Sequence, residues 1–366
     1  MRKSRTGILI DKVFLALHGV KTPYKKAKYA RKRVKMIQGR YNGSQKEFQD
    51  KVVSYWKPYG IHPQKYWYDL YCAGQDEYDP RYIPDSLWYS KFLPYFNNSF
   101  FREAYDDKGY YDVIFGDLKR PNIIVRKMAT HYYDGNMNLI SQERAIELCI
   151  SSGQWVIKGS TNSGCGRDVQ FYDCGQKDDK DNVQRLFAEF QDNFVVQELV
   201  KQHPDLAKLH EQSLNTIRVQ SFFFKDQVHI LSCLLRIGGG DARIDNVSAG
   251  GFGCPVNLDG SLKEKAVNRK SEWVSQLPNG IVLKNVTIPS FDRMIDIIKE
   301  KHSKLPYFGL LGWDFAIDEE GEPIFIEVNI QQEQNQISCG PTFGDLTSKV
   351  LQDIFIEKSL RDVFFV

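Results

Sequence analysis

A chain of 366 residues is too long for one small core, so two or three packed units are expected. Its 42% hydrophobic and 26% charged content is that of a soluble globular protein; no apolar run approaches the ~20 residues of a membrane span, and the N-terminus lacks a signal-peptide cleavage pattern, which gives the expectation of a cytoplasmic protein. Seven cysteines, an odd number without a C-x-x-C pair, argue against a disulfide framework and a zinc site, and Cys165 and Cys174 read as small residues.

The net charge of +3 hides an asymmetry. Residues 1–40 hold thirteen Lys or Arg and one acid, Asp11, a local +12 that leaves −9 for the rest of the chain. Here KKAKYARKRVKMI reads as a basic helix behind an apolar stretch, ILIDKVFLALHGV. Such a head is either a solvated face or a peripheral tether to anionic membrane or polymer. The acidic remainder and the lack of a nucleic-acid motif argue against nucleic acid as a partner. SQKEFQDKVVSYWKPYG has helical spacing, and the aromatic, proline-punctuated stretch to about Phe115 reads as short helices and loops, so residues 41–120 form an N-terminal, mainly helical, aromatic-rich region.

From Pro121 the texture changes. PNIIVRK is a short strand, and SQERAIELCISS is a helix in which Ser141 is followed three residues later by Arg144, half of a capping box. QWVIKGS is a strand, followed by a glycine-rich loop, the helix DKDNVQRLFAEFQ and the strand NFVVQELV, which make a unit over 121–200. Beyond it come the strands TIRVQSFFF and QVHILSCLLRIGG, a second glycine-rich segment and the helix FDRMIDIIKEKH. Strands and helices run in separate groups, which points to α+β lobes.

The last recognisable element carries the most chemistry. In GLLGWDFAIDEEGEPIFIEVN, a turn centred between Glu320 and Gly321 sets Ile317 against Ile324 and Asp314 against Glu327, with Asn329 on the same face. Phe315, Ile317, Ile324, Ile326 and Val328 fall on the other face, and burying them fixes the register. Like charges opposed at roughly 5 Å destabilise a hairpin, and a cation reverses that sign. Two carboxylates and an amide, without His or Cys, are hard oxygen ligands of the kind magnesium shares with phosphates. The alternative is an exposed hairpin with solvated acids.

Three further segments carry weaker signals. In VIKGSTNSGCGRDV a lysine leaves a strand into Gly159, Gly164 and Gly166, offering backbone N–H donors and a point charge to a polyphosphate. It is not a P-loop, because Lys158 precedes the glycines. The end of VVQELV leaves free backbone groups beside an apolar floor, suited to an adenine edge. RIGGGDARIDNVSAGGFG combines Arg236, Arg243 and Asn246 with a glycine-rich tail, which is otherwise a surface hairpin.

In this order the segments VIKGSTNSGCGRDV, VVQELV, LNTIRV, ARIDNVSAGG and GWDFAI…IFIEVN resemble the ATP-grasp superfamily over about residues 121–350. QHPDLAKLHEQSLNTIRV and DNVSAGG are similar to its sugar-transfer-associated branch. The resemblance implies an α+β ATP-grasp fold with two lobes, over 121–200 and 201–366, clamping ATP. It implies that Lys158 contacts phosphate together with the loop residues Ser163, Gly164 and Gly166, that Gln197, Glu198, Leu199 and Val200 form the adenine hinge, and that Asn246 also contacts nucleotide. Lys127, beside Arg126, resembles an earlier nucleotide-contacting lysine. Asp314, Glu327 and Asn329 match the ligands of Mg2+. Arg236 resembles the arginine that steadies the transferring phosphoryl group, with Lys158 and Arg218 as the other catalytic candidates.

The chain departs from the family where NIQQEQNQISCGPTFGD replaces a short turn after the ligand asparagine, so Gln331, Gln332, Gln334 and Gln336 should line the acceptor side. Residues 1–120 match no usual preATP-grasp lobe. The resemblance implies an ATP-dependent carboxylate-amine ligase working through an acyl phosphate, in surface-polysaccharide or sugar-precursor modification, with residues 248–253 as a lid. The alternatives are a small-molecule or sugar kinase and a nucleotide-binding scaffold without turnover. Of the histidines only His203 lies in a family-like motif, where starting a helix is its expected role.

Overall fold

Two antiparallel sheets carry the fold of this computed structural model, which describes residues 24–37, 45–74, 78–161, 169–245, 247 and 250–357. The smaller sheet comprises β1 (Ile123–Met128), β2 (His131–Asp134), β3 (Leu139–Ile140), β4 (Gln154–Gly159), β5 (Val169–Asp173) and β6 (Phe194–Glu198), in the order β3-β2-β1-β6-β4-β5. Helices Gln142–Ser151 and Asp179–Phe190 cover one face, where Val125, Trp155, Ile157, Phe194 and Val196 form the core. The first of these helices begins where the sequence indicates, with Ser141 Oγ accepting the Arg144 N–H at 3.1 Å. Because side chains alternate along a strand, Arg126, Val156, Lys158 and Gln197 face the other way.

The larger sheet comprises β7 (Ile217–Phe224), β8 (Gln227–Ile237), β9 (Phe252–Pro255), β10 (Ala266–Asn268), β11 (Trp273–Val274), β12 (Leu310–Ile317) and β13 (Pro323–Asn329), in the order β11-β10-β9-β8-β7-β12-β13. β7 and β8 are joined by Lys225 and Asp226, both left-handed (φ 49° and 63°), which suits the twist of a two-residue hairpin loop. Helix Phe291–Ser303 packs on one face, against Val219, Leu235, Leu311, Trp313 and Phe315.

The opposite face divides along its strands. At one end Phe222, Phe224 and Leu310 pack beneath Trp88, Phe92 and Phe96 of the aromatic-rich region and beneath Val350 and Leu351 near the C-terminus. This explains the high aromatic content. The aromatic-rich region is mainly helical, as expected, and shares one core with the large sheet. Asn97 fastens it, donating to the carbonyls of Leu310 and Ile330 (both 2.8 Å) and accepting from the Leu310 N–H (2.9 Å). At the other end of the same face β7, β8, β12 and β13 present Arg218, Arg236, Asp314 and Glu327 to a cleft shared with the small sheet.

The hairpin differs from its sequence reading in one respect. Asp314 does oppose Glu327, but Ile317 opposes Pro323 and Ala316 opposes Ile324, because a bulge lies beyond Asp314. The extra residue is Ile326, which lines the cleft, while Phe325 rather than Ile324 or Ile326 joins Phe315 and Val328 in the core. Among the described residues no helix is long and apolar enough to cross a membrane.

Candidate functional site

The cleft has a volume of about 1370 Å³, and its floor is a row of side chains across three strands. Arg218, Asp314 and Glu327 occupy one register on β7, β12 and β13, with Gln220, Gly312 and Asn329 in the next row. Asp314 is fully buried and held on two sides. Arg218 grips it bidentately through Nε and Nη2, the latter at 2.8 Å, and Arg236 Nη2 stands 2.8 Å from Asp314 Oδ2. Arg236 also donates to Thr216 Oγ1 (2.7 and 3.0 Å), whose hydroxyl and backbone N–H are both bonded to Asp245. Burial raises the Asp245 carboxyl above its ordinary range, against the pull of Arg236 and Thr216.

Glu327 pairs with Lys108 at 3.1 Å. Burial opposes charge on Glu327, yet Lys108, Arg218 and Lys158 together hold its carboxyl well below the ordinary range. Burial also works against the Lys108 ammonium, but Glu327 foremost among its neighbours raises it above normal. Lys158 enters from β4 on the opposite wall. Burial, and then Lys108, bring its ammonium down to about 8, with Glu327 and Asp314 opposing. Four basic groups thus surround two carboxylates, a surplus suited to a polyanion.

Sequence reasoning missed Lys108. Its place comes from a turn in which Asp107 Oδ1 accepts the Gly109 N–H (2.8 Å) and from a bond between the Lys108 N–H and the Ser160 carbonyl (3.0 Å), which docks it beside β4. Only the D-x-G turn is legible in sequence. Thr216 and Asp245 were missed too, although both lie in family-like motifs.

Lys127 is not brought to the cleft. It projects from the helix-covered face of β1, where its amine meets the Gln191 carbonyl and Asp192 at 2.7 Å each, over the Tyr132 ring. Alternation places Arg126 on the cleft side instead, fully buried and bonded to Asp112 and to the Gly109 and Gly135 carbonyls. Gln197, Glu198, Leu199 and Val200 do line the cleft, and the buried Gln197 Oε1 has no hydrogen-bond partner. Val156, Phe171, Leu234 and Ile326 add apolar surface from both sheets, and Arg243 stacks on Phe171 with its guanidinium carbon 4.0 Å from the ring centre. His203 caps the turn Pro204–Ala207, accepting the Asp205 N–H, as expected. Ser163, Gly164, Gly166, Asn246 and Ser248 lie outside the described residues.

The donor set fits a hard divalent cation. Asn329 Nδ2 stands 3.4 Å from Asp314 Oδ2 and 3.3 Å from Glu327 Oε1, so both carboxylates converge on one amide. Turning that amide end for end would add its oxygen to theirs. Two carboxylates and an amide are an oxygen-only set of the kind that suits magnesium.

An α+β fold of two antiparallel lobes, closing on a cleft with a lysine in one wall and paired acids in the other, defines a nucleotide-clamping class of protein. The sequence matches the family described as sugar-transfer associated ATP-grasp over residues 92–350, and the chain belongs to that family. No curated protein matches the sequence. Among solved structures, it is similar to D-alanyl-alanine synthetase A from Vibrio cholerae (13% identity over 71% of this chain and 66% of that one, TM-score 0.40). It is also similar to an L-amino acid ligase from Bacillus licheniformis (13%, 69% and 48%, TM-score 0.36). A third is the biotin carboxylase domain of the Hydrogenobacter thermophilus 2-oxoglutarate carboxylase, in complex with MgADP (14%, 69% and 45%, TM-score 0.42). The chain spans less than two thirds of the length of each of these.

Proposed function

We propose that the protein is an ATP-dependent carboxylate-amine ligase of small-molecule or glycan substrates, acting in surface-polysaccharide or sugar-precursor modification. The observation that carries this reading is the convergence of Asp314, Glu327 and Asn329 opposite Lys158, with Arg218 and Arg236 behind them. In this reading ATP lies between the sheets, its base against Val156 and Leu234 and its edge toward the backbone of Glu198, Leu199 and Val200. Magnesium held by Asp314, Glu327 and Asn329 would supply neutralisation of phosphate charge.

Lys158, Lys108 and Arg236 contribute fixed positive charge to the phosphate oxygens, in a site whose burial strengthens each contact. Arg218 orients Asp314 through its two-pronged grip. A substrate carboxylate oxygen attacks the γ-phosphorus, the bond to the bridging oxygen breaks, and ADP leaves. The amine then attacks the acyl carbon, phosphate departs with the C–O bonding pair, and the amine loses a proton.

The test is product analysis with ATP, magnesium and a panel of paired carboxylates and amines. Release of ADP and free phosphate only when both acceptors are present supports ligation. ADP with the phosphoryl group retained on one acceptor identifies a kinase, and ATP binding without ADP formation across the panel identifies a scaffold.

A further inference from the structure

One end of the cleft is built by a part of the chain that the proposed chemistry does not use. Residues 24–37 are helical, and Lys25, Lys26, Tyr29 and Arg33 turn into the cleft rather than away from it. Lys26 Nζ lies 3.2 Å from both the Tyr89 hydroxyl and Glu333 Oε1. Arg33 is half-buried. Its Nη2 donates to Ser271 Oγ at 3.0 Å, its other side-chain partner is the neighbouring Tyr29, and no carboxylate of the described residues stands within salt-bridge distance. The nearby acid, Asp85, is occupied by Tyr71 (3.3 Å) and Gln334 (2.9 Å). Among the described residues this partly buried guanidinium is bonded to neutral hydroxyls, with Asp85 acting on it only through space, so its desolvation is incompletely offset and its planar fork fits an oxyanion.

Between Arg33 and the paired acids lies the segment that follows Asn329. Gln336 is consumed by both backbone groups of Ile83 (2.8 Å each), and Gln334 by Ile83, Asp85 and Thr342. Gln332 is different. It is only 1% exposed and lines the cleft, yet neither its Oε1 nor its Nε2 has a hydrogen-bond partner. Its amide lies over Gly312, where an added Cβ would stand 2.7 Å from Oε1. Buried amides left without partners are costly, and both polar atoms of this one are closed off beside the cleft, where a turn of the side chain would bring them to a ligand. From Asn329 to Glu333, which holds Lys26, is four residues, at most about 14 Å. The cleft also exceeds the roughly 300–1,000 Å³ that one small molecule occupies.

We infer that this end of the cleft is the acceptor subsite, and that the acceptor carries an oxyanion, phosphate or carboxylate, bound by Arg33 and Lys26, while a turn of the Gln332 side chain brings its amide to the part of the molecule nearer the paired acids. The inference rests on the nucleotide reading of the other end. The test is calorimetry on the full chain saturated with magnesium and a non-hydrolysable ATP analogue, titrated with inorganic phosphate and separately with acetate.

Arg33→Gln weakens anion binding about tenfold or more, and Lys26→Gln weakens it several-fold, about twofold or less change being expected in affinity for the analogue. Tighter binding of phosphate than of acetate identifies a phosphorylated acceptor, and the reverse order a carboxylated one. Equal anion affinity in the wild type and both variants, or no binding of either anion, overturns the inference. If Arg33→Gln does not fold, Lys26→Gln decides on the same criterion. Failure of the analogue itself to bind would remove the nucleotide reading and this inference with it.

Discussion

Glu327 stands between two roles that a substitution can separate. In the proposed reading it completes the oxygen donors with Asp314 and Asn329, and in the structure it is the counter-charge of the buried Lys108. From the sequence alone, Glu327→Gln removes a charge from a polar face and leaves the fold intact. With Lys108 in place, the same change takes from a buried ammonium its foremost counter-charge, leaving Asp106 and Asp314 as its neighbouring acids. We predict a fall of about 100-fold or more in magnesium-dependent turnover, and a loss of about 1–3 kcal/mol of stability in metal-free buffer. Adding Lys108→Met recovers much of the stability but none of the turnover. A Glu327→Gln protein as stable as the wild type in urea would show that Lys108 finds another partner.

At the level of elements, the cleft strands are held from behind by a chain of polar contacts. Trp313 Nε1–H donates to Ser221 Oγ (2.8 Å), the serine hydroxyl donates to His302 Nδ1 (2.6 Å), and His302 Nε2–H donates to the Phe308 carbonyl (2.9 Å). This ties β7 and β12 to the helix Phe291–Ser303, one residue from Asp314. Each group is satisfied only if the imidazole is neutral. Burial brings the His302 pKa from 6.5 down to about 4, with the Phe308 carbonyl opposing. The unfolded chain therefore binds this proton first, so the contribution of His302 to stability is full above pH 6.5 and is lost as the pH falls toward 4. The gap corresponds to about 3 kcal/mol. His302→Gln should flatten the stability profile between pH 6.5 and 4 in denaturant titrations, and an unchanged profile would assign the acid sensitivity elsewhere. The bulge of β13 is a second device at this scale. It keeps Asp314 against Glu327 while turning Ile326 to the cleft and Phe325 to the core.

Across the whole molecule, one face of the large sheet serves as core at one end and as the floor of the cleft at the other. The aromatic-rich region therefore both shields Phe222, Phe224 and Leu310 and positions the site. Trp88 is its clearest link, fully buried, with Nε1–H donating to the Gln332 carbonyl at 2.9 Å. We predict that Trp88→Ala costs about 3–5 kcal/mol and loosens the segment after Asn329. In differential scanning fluorimetry the melting temperature should fall, while ATP analogue affinity, measured below the transition, changes little. A large loss of nucleotide affinity with little loss of stability would place Trp88 in the nucleotide site instead.

Local order sufficed for several features. The half capping box at Ser141 and the His203 helix start follow from short-range stereochemistry, whereas the opposition of Asp314 and Glu327, read from simple alternation, is reached in the structure only through the bulge at Ile326. The α+β lobes were legible in the grouping of strands and helices, while a place for Lys158 between two lobes came from the family resemblance. Other features depended on which surfaces meet. Lys127 and Arg126 are adjacent, and strand alternation sends them to opposite faces, but only the helices packed on β1 reveal which face is which. Lys108 reaches Glu327 through a contact between segments far apart in sequence, and the basic helix turns Arg33 inward because Ala30 and Ile37 are drawn into the aromatic core. Charge and periodicity are properties of a segment, whereas the partner of each charge is set by burial of apolar surface over the whole chain, and that the tertiary structure alone decides.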